Sequence, residues 1–187
     1  MPQQPDITDP SDRIRPLSDH DLEAVVDLSL RAWEPVFISF EKILGTEIFD
    51  LLYRPHWRAA QAAAVRGNCL ADGAESFVMA TPDDVVVGFV VLQQDLDESL
   101  GVIEMIAVHP QHQRRGHARA LMQFALERFR GQGLRLINVG TGGDPGHAPA
   151  RALYEAVGFT GVPLVNYYLA SPPAPQDPAV EPVTQVT

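Results

Sequence analysis

The sequence has one cysteine, no long apolar run and few basic residues, and each shortage excludes a class of protein. Cys69 is the single cysteine among 187 residues, so the chain has no internal disulfide and fits a reducing, cytoplasmic compartment. No apolar run approaches the ~18 residues that indicate a membrane span. The polar, acidic N-terminus is unlike a signal peptide. We therefore expect a cytoplasmic protein without a membrane partner.

Basic residues are outnumbered, since 14 Lys and Arg face 24 Asp and Glu and the formal net charge is −10. Nucleic-acid binding needs basic surface that replaces counterions, so we expect no nucleic-acid partner. A negative protein suits a cationic substrate, although acidic side chains also serve solubility alone. The six histidines show no spacing of zinc ligands, which predicts no metal site.

The two ends of the chain differ in composition from its middle. Residues 1–12 are rich in proline and aspartate, and residues 171–187 are proline-rich without apolar periodicity. Such compositions are typical of disordered segments. We predict two disordered tails, at 1–12 and 171–187, around one folded domain at residues 13–170.

Helical and strand periodicities follow one another through the middle of the chain. A short strand, "RIRPL", precedes a helix that begins near Ser18 and ends or kinks at Pro35. A second helical region covers about residues 40–66, with an interruption near Arg54 and Pro55. Then come three strands, a helix, a strand, a helix and a last strand: "ESFVMAT", "VVVGFVVLQQ", "GVIEMIAVHP", "QRRGHARAL", "LRLINVG", "HAPARALYEAVGF" and "VNYYLA". This order predicts a mixed α/β sheet.

The helix that starts at "QRRGHARAL" has unusual chemistry at its N-terminus. Two arginines stand where the helix dipole is positive, and no Ser, Thr, Asp or Asn is nearby to cap the free N–H groups. Gly116 allows the backbone to approach an anion closely, and the small Ala118 leaves room beside it. The pattern favours a phosphate site; the alternative is a water-capped surface helix with two solvated arginines.

Two segments resemble the GCN5-related N-acetyltransferases, the GNAT family. "QRRGHA", from Gln113 to Ala118, is similar to the family's Q/R-x-x-G-x-G/A loop. "ARALYEAVGF" is similar to its A-x-x-L-Y-x-x-x-G-F helix, through Ala150, Leu153, Tyr154, Gly158 and Phe159. The resemblance implies a mainly antiparallel sheet flanked by helices, with two strands splayed at an acyl-CoA site. It also implies acetyl-CoA as co-substrate.

The same resemblance implies the residues that hold this co-substrate. The pyrophosphate would bind the loop, and pantetheine would pair with the strand "EMIAV". Where the family often has an Asn that contacts pantetheine, this chain has His147, which either donates the same hydrogen bond or leaves the contact absent. The predicted cofactor-binding residues are Ile106, Ala107, Val108, Gln113, Arg114, Arg115, Gly116, His117, Ala118, Arg119 and His147.

Catalytic roles follow from the resemblance as well. Tyr154 would serve the leaving thiolate, the Val108 N–H would polarise the thioester carbonyl, and Glu104 would assist deprotonation of the amine. Strand alternation places Glu104 on the face of Ile106 and Val108. The alternatives are a Tyr154 that packs in the core and a Glu104 engaged in a salt bridge.

The acceptor side is less defined by the sequence. Trp33, Phe37 and Tyr53 are predicted to bind the substrate, yet aromatic residues there equally fit a helical core or a homodimer face. "GTGGDPG" has no Walker spacing and is predicted to be a flexible turn, and Cys69 a packing residue.

These features together predict an acyl-CoA-dependent N-acetyltransferase that moves an acetyl group to a small-molecule or peptide primary amine, by direct attack in a ternary complex. The alternative is a non-catalytic acyl-CoA-binding module that acts as a sensor or scaffold. The presence of both a candidate acid and a candidate base favours the enzyme.

Overall fold

Five strands form one open sheet in the computed structural model, which describes residues 12–172. In spatial order they are β1 (Arg13–Pro16), β2 (Glu75–Ala80), β3 (Val86–Asp95), β4 (Leu100–Val108) and β5 (Leu136–Val139). The first three pairings are antiparallel and β4 pairs with β5 in parallel. The mixed, mainly antiparallel sheet predicted from the sequence is confirmed.

Five α-helices cover the two faces of this sheet: α1 (Leu22–Ala32), α2 (Glu34–Leu52), α3 (Trp57–Cys69), α4 (His117–Gly131) and α5 (Ala148–Ala156). Short 3₁₀ helices precede α1, α4 and α5, at Asp19–Asp21, Pro110–His112 and Pro145–His147. Pro35 lies in the first turn of α2, where a missing N–H leaves no hydrogen bond unmade. The proline therefore marks the junction between two helices.

The strands bury both of their faces, so the core has two halves. On one face, α4 and α5 pack on β-strand side chains that include Val90, Leu92 and Ile103. On the other face, α1 and α3 pack on a set that includes Val78, Phe89 and Val91. Burial on both faces explains why "VVVGFVVLQQ" reads as a continuous apolar run.

The predicted last strand, "VNYYLA", is wrong for the described chain. Residues 165–170 have no regular secondary structure, and Tyr167 and Leu169 are 92% and 90% exposed. An apolar alternation becomes a strand only beside a pairing partner, and none of the described strands pairs with this segment.

The predicted tails, 1–12 and 171–187, lie outside the described residues except for residues 12, 171 and 172. None of the helices within residues 12–172 is long and apolar enough to cross a membrane.

Candidate active site

A gap opens between β4 and β5 because their pairing is short. Leu100–Ile103 pairs with Leu136–Val139, and there β5 ends while β4 continues to Val108. Among the strands of residues 12–172, the second half of β4 therefore pairs only with β3.

The backbone groups that face this gap follow from the register of β3 and β4. The His109 N–H donates to the Val87 carbonyl at 2.9 Å, so residue 109 points its backbone groups toward β3. Because these groups alternate along an antiparallel strand, Ala107 also faces β3, while Ile106 and Val108 face the gap. The Gln113 side-chain amide donates to the Val108 carbonyl at 3.0 Å, which leaves the Val108 N–H as the donor on that side.

The helix start that follows is open and positively charged. Arg114 and Gly116 adopt left-handed φ angles of 63° and 86°, and Gly116 is the N-cap of α4 without a side-chain cap. Arg114 and Arg115 are exposed, and neither they nor Arg119 form an ion pair within the described part of the chain. Free N–H groups and unpaired guanidinium groups together fit a phosphate-bearing ligand.

The side chain of His117 is buried, unlike those of Arg114 and Arg115 before it. The ring is 2% exposed; Nδ1 lies 2.9 Å from the His112 carbonyl oxygen and Nε2 lies 2.7 Å from Asp12 Oδ2. Both ring nitrogens are therefore engaged in hydrogen bonds inside the protein. The side chain of His117 thus fastens the start of α4 to the beginning of the described chain, and only its backbone remains for a ligand.

A cavity of about 200 Å³ lies next to the gap. It brings together five residues predicted from the sequence to act in the site: Trp33, Glu104, Ile106, His147 and Tyr154. The lining comprises Trp33, Gln61, Ile103, Glu104, Met105, Ile106, Val139, Gly140, Thr141, His147, Ala150 and Tyr154.

Tyr154 stands on α5 with its ring largely buried, at 9% exposure, and 6.1 Å from the ring of Phe159. Burial raises the pKa of its hydroxyl to about 12, because the phenolate would be poorly solvated there. The phenol is therefore protonated at neutral pH and is available as a proton donor.

Glu104 lies in a β-bulge. Val91 pairs with Met105 and Leu92 pairs with Ile103, so residue 104 is the extra residue of β4. The predicted strand alternation fails at this point, because Ile103 packs in the same core half as Val108. The bulge presents an exposed carboxylate to the cavity, and the alternative salt bridge is not formed among residues 12–172.

A comparison with models of protein families identifies the family of this chain. The model of the Acetyltransferase (GNAT) family matches residues 42–159, more than half of the chain. The chain belongs to the GNAT family. No curated protein matches the sequence.

Solved structures share the fold at low sequence identity. The ribosomal-protein-S18-alanine N-acetyltransferase of Escherichia coli is 21% identical, with a TM-score of 0.59 over 81% of this chain and 79% of its own. The PaiA N-acetyltransferase of Thermoplasma acidophilum, in complex with coenzyme A, is 14% identical, with a TM-score of 0.59 over 80% and 90%. A mutant BH1408 protein of Bacillus halodurans is 13% identical, with a TM-score of 0.64 over 85% of this chain and 99% of its own.

Asp144 is a residue of this GNAT site that the sequence analysis missed. The loop "GTGGDPG" was predicted to be a flexible turn, yet the buried Asp144 carboxylate accepts the Gly146 N–H at 2.8 Å and pairs with the His147 ring. Arg151 also clamps the loop, because its Nη1 donates to the carbonyls of Gly142 and Asp144 at 2.5 and 2.8 Å. The available signal was an Asp-Pro pair directly before a helix, which is typical of an N-cap.

The three residues predicted to bind the acceptor divide into two groups. Trp33 lines the cavity. Phe37 instead stacks on Trp57, with ring centroids 4.4 Å apart, and contacts Tyr53 edge-on at 5.0 Å. Phe37 and Tyr53 therefore belong to an aromatic cluster between α2 and α3, the helical core that the sequence left as an alternative. Burial, together with Tyr168 and Asp144, raises the pKa of Tyr53.

The described residues contain no group of three His, Cys, Asp or Glu side chains placed to hold a metal ion. Cys69 is buried at the end of α3, and burial raises the pKa of its thiol, in keeping with a packing residue.

Proposed function

We propose that this GNAT protein is an acetyl-CoA-dependent N-acetyltransferase that acetylates a primary amine by direct attack in a ternary complex. One observation carries the proposal: a protonated Tyr154 lines a cavity beside unpaired strand N–H groups and an uncapped, arginine-rich helix start.

The residues of the gap and the helix start fit acetyl-CoA. The backbone N–H groups of residues 114–119, with Arg114 and Arg115, would hold the pyrophosphate by charge-assisted hydrogen bonds. The backbone groups of Ile106 and Val108, which face the gap, would hold the pantetheine arm as a missing strand would. Ala107 lies between these two residues, and its own backbone groups face β3 instead of the gap.

Acetyl-CoA, when bound, supplies an activated acetyl group as a thioester. The Val108 N–H would then donate to the carbonyl oxygen as negative charge develops there, and one such donor is typically worth about 3 kcal/mol in the transition state. Tyr154 would donate its hydroxyl proton to the sulfur as the C–S bond breaks. The amine nitrogen forms the new C–N bond and gives up its own proton to the protein.

Glu104 contributes charge at the edge of the cavity. An alkylammonium ion has a reference pKa of about 10.4, so it reaches the site with a positive charge and one proton too many. The exposed carboxylate in the bulge would attract the ion and assist its deprotonation, directly or through water. The substrate class is therefore a cationic primary amine, either a small molecule or a peptide.

The alternative of a non-catalytic acyl-CoA sensor predicts binding without turnover. The experiment combines the protein with acetyl-CoA, a panel of amines and a reagent for free thiols. We expect CoA release that requires an amine, together with acetylated amine detected by mass spectrometry. Tight acetyl-CoA binding without CoA release for any amine would support the sensor instead.

A further inference from the structure

We propose that His147, oriented by Asp144, takes the ammonium proton of the acceptor. This inference rests on the proposed function and deepens it, because it names the group that makes the amine nucleophilic. Glu104 then holds the ammonium charge, and His147 accepts the proton.

The geometry of the His147 ring leaves one nitrogen for this task. Nδ1 donates to Asp144 Oδ1, which fixes the tautomer and leaves the lone pair on Nε2. Within residues 12–172 no group of the protein is hydrogen-bonded to Nε2, while the residue itself lines the cavity with Tyr154. The ring of Phe40 lies 5.5 Å from the imidazole and limits its rotation.

The Asp144 carboxylate that orients the ring is itself fixed. Burial alone would raise the pKa of Asp144, but hydrogen bonds from His147, Ser39 and the Gly146 N–H outweigh it and hold the pKa below its ordinary value. A charged, immobile carboxylate keeps the imidazole in one orientation and stabilises the imidazolium that forms when the proton arrives.

Little space surrounds this pair, which shows that the loop is shaped around it. A Cβ atom at residue 142 would lie 2.5 Å from both Asp144 Oδ1 and His147 Nδ1. One at residue 146 would lie 2.8 Å from Asp144 Oδ2 and 2.8 Å from the Val36 backbone. Two glycines are thus required for the pair to sit against α2, which gives "GTGGDPG" a structural purpose.

The same geometry argues against the pantetheine contact that the sequence predicted for His147. An amide at this position can donate a hydrogen bond. With the Nδ1–H of His147 committed to Asp144, a neutral imidazole keeps only an acceptor, on Nε2. An acceptor beside a cationic amine is placed to remove a proton.

The proton balance is complete with the groups at hand. The ammonium proton moves to Nε2, the freed lone pair attacks the thioester carbon, and the phenol of Tyr154 protonates the sulfur as the C–S bond breaks. The nitrogen sheds its second proton as the amide forms, and that proton restores the Tyr154 phenolate to the phenol. The imidazolium later returns its proton to water. The charged or titratable groups around the pair of Asp144 and His147 are Glu104 on β4, Arg151 and Tyr154 on α5, and Tyr53 directly after α2.

The test compares His147→Asn and His147→Gln with wild type and with His20→Asn, a control at an exposed histidine before α1. Turnover, KM for the amine and CoA affinity are measured from pH 6.5 to 9.5. For both variants of His147 we expect turnover to fall by about 10²-fold at pH 7. CoA affinity and melting temperature should stay close to wild type.

The pH profile separates proton transfer from structure. The deficit of the variants should shrink as pH rises toward the ammonium pKa of about 10.4, because the free amine needs no base. Imidazole added to His147→Gly should restore part of the turnover, whereas it should not affect His20→Asn.

Four results would overturn the assignment. His147→Asn with wild-type turnover, or with turnover and CoA affinity reduced equally at every pH, would return the residue to a pantetheine contact. A deficit that is constant with pH and unaffected by imidazole would make His147 a structural residue. If wild type binds acetyl-CoA but releases no CoA with any amine, the proposed function fails first and this role fails with it.

Discussion

The starts of α4 and α5 each hold a histidine paired with an aspartate, yet the two rings differ in how many of their nitrogens are hydrogen-bonded. At α4, both ring nitrogens of His117 are bonded, and Asp12 and a backbone carbonyl enclose the ring. At α5, the ring of His147 is bonded through Nδ1 to Asp144, Nε2 has no hydrogen-bond partner within residues 12–172, and the residue lines the cavity.

The difference teaches that pairing with a carboxylate does not by itself make a histidine a base. Both nitrogens of the His117 ring are already engaged in hydrogen bonds inside the protein, so this ring has no nitrogen available for a substrate. A ring with one free nitrogen keeps a lone pair, so His147 can accept a proton. In the proposed mechanism the same contrast separates the two helix starts, because α4 would bind the co-substrate through backbone N–H groups and α5 would act through side chains.

The largest expected effect tests the proposed phosphate site at the start of α4. Gly116→Glu adds a side chain at a left-handed φ of 86° and places a carboxylate where a phosphate would approach. We expect no measurable CoA binding by calorimetry, with a strain cost of about 1–3 kcal/mol in stability. Gly67→Glu, at an open position on α3, is the matched control and should bind normally. Wild-type affinity in Gly116→Glu would remove the phosphate site from this loop.

The next largest effect tests whether the pair of Asp12 and His117 holds the start of α4 in place. Asp12→Asn removes the charge that faces His117 Nε2, and losing one partner of a buried pair typically costs about 3–5 kcal/mol. The pair has side-chain exposures of 7% and 2%, so solvent screens it little. Chemical denaturation should show this loss. Asp19→Asn, at an exposed position, serves as the control. Unchanged stability in Asp12→Asn would show that the pair does not hold the start of α4.

The smallest effect concerns the ionisation of the phenol on α5. Burial raises the pKa of Tyr154 to about 12, so one of the four tyrosines should form phenolate later than the exposed ones. Because the native state binds this proton more tightly, its contribution to stability is present below pH ~10 and is lost as pH rises through about 12. Absorbance titration of wild type and Tyr154→Phe should differ by this late step; a difference near pH 10 would indicate a solvated phenol.

Local patterns predicted the parts of the site that depend on neighbours in sequence. Gly116 at the start of α4 and Tyr154 on the inner face of α5 follow from spacing within a few residues. The link between Asp12 and His117 joins residues 105 positions apart, and no local pattern carries it. The bulge at Glu104 depends on the register with β3, which strand alternation alone does not contain.

The predicted strand "VNYYLA" failed for the same physical reason. Its alternation describes what a strand would bury, whereas pairing depends on where other strands end. The role of Asp144 was missed because glycines around an Asp-Pro pair resemble a flexible turn until the packing against α2 is seen.

The most direct test of the central claim, that chemistry resides at the start of α5 and binding at the start of α4, is turnover in Tyr154→Phe measured beside CoA affinity. Phenylalanine keeps the ring and its packing, and general acid help is typically worth 10²–10⁴-fold, so with water as a substitute acid we expect turnover at least about tenfold lower. CoA affinity and melting temperature should be unchanged, and Tyr167→Phe, at a 92% exposed position, should match wild type. Wild-type turnover in Tyr154→Phe would contradict the claim and return this tyrosine to the core.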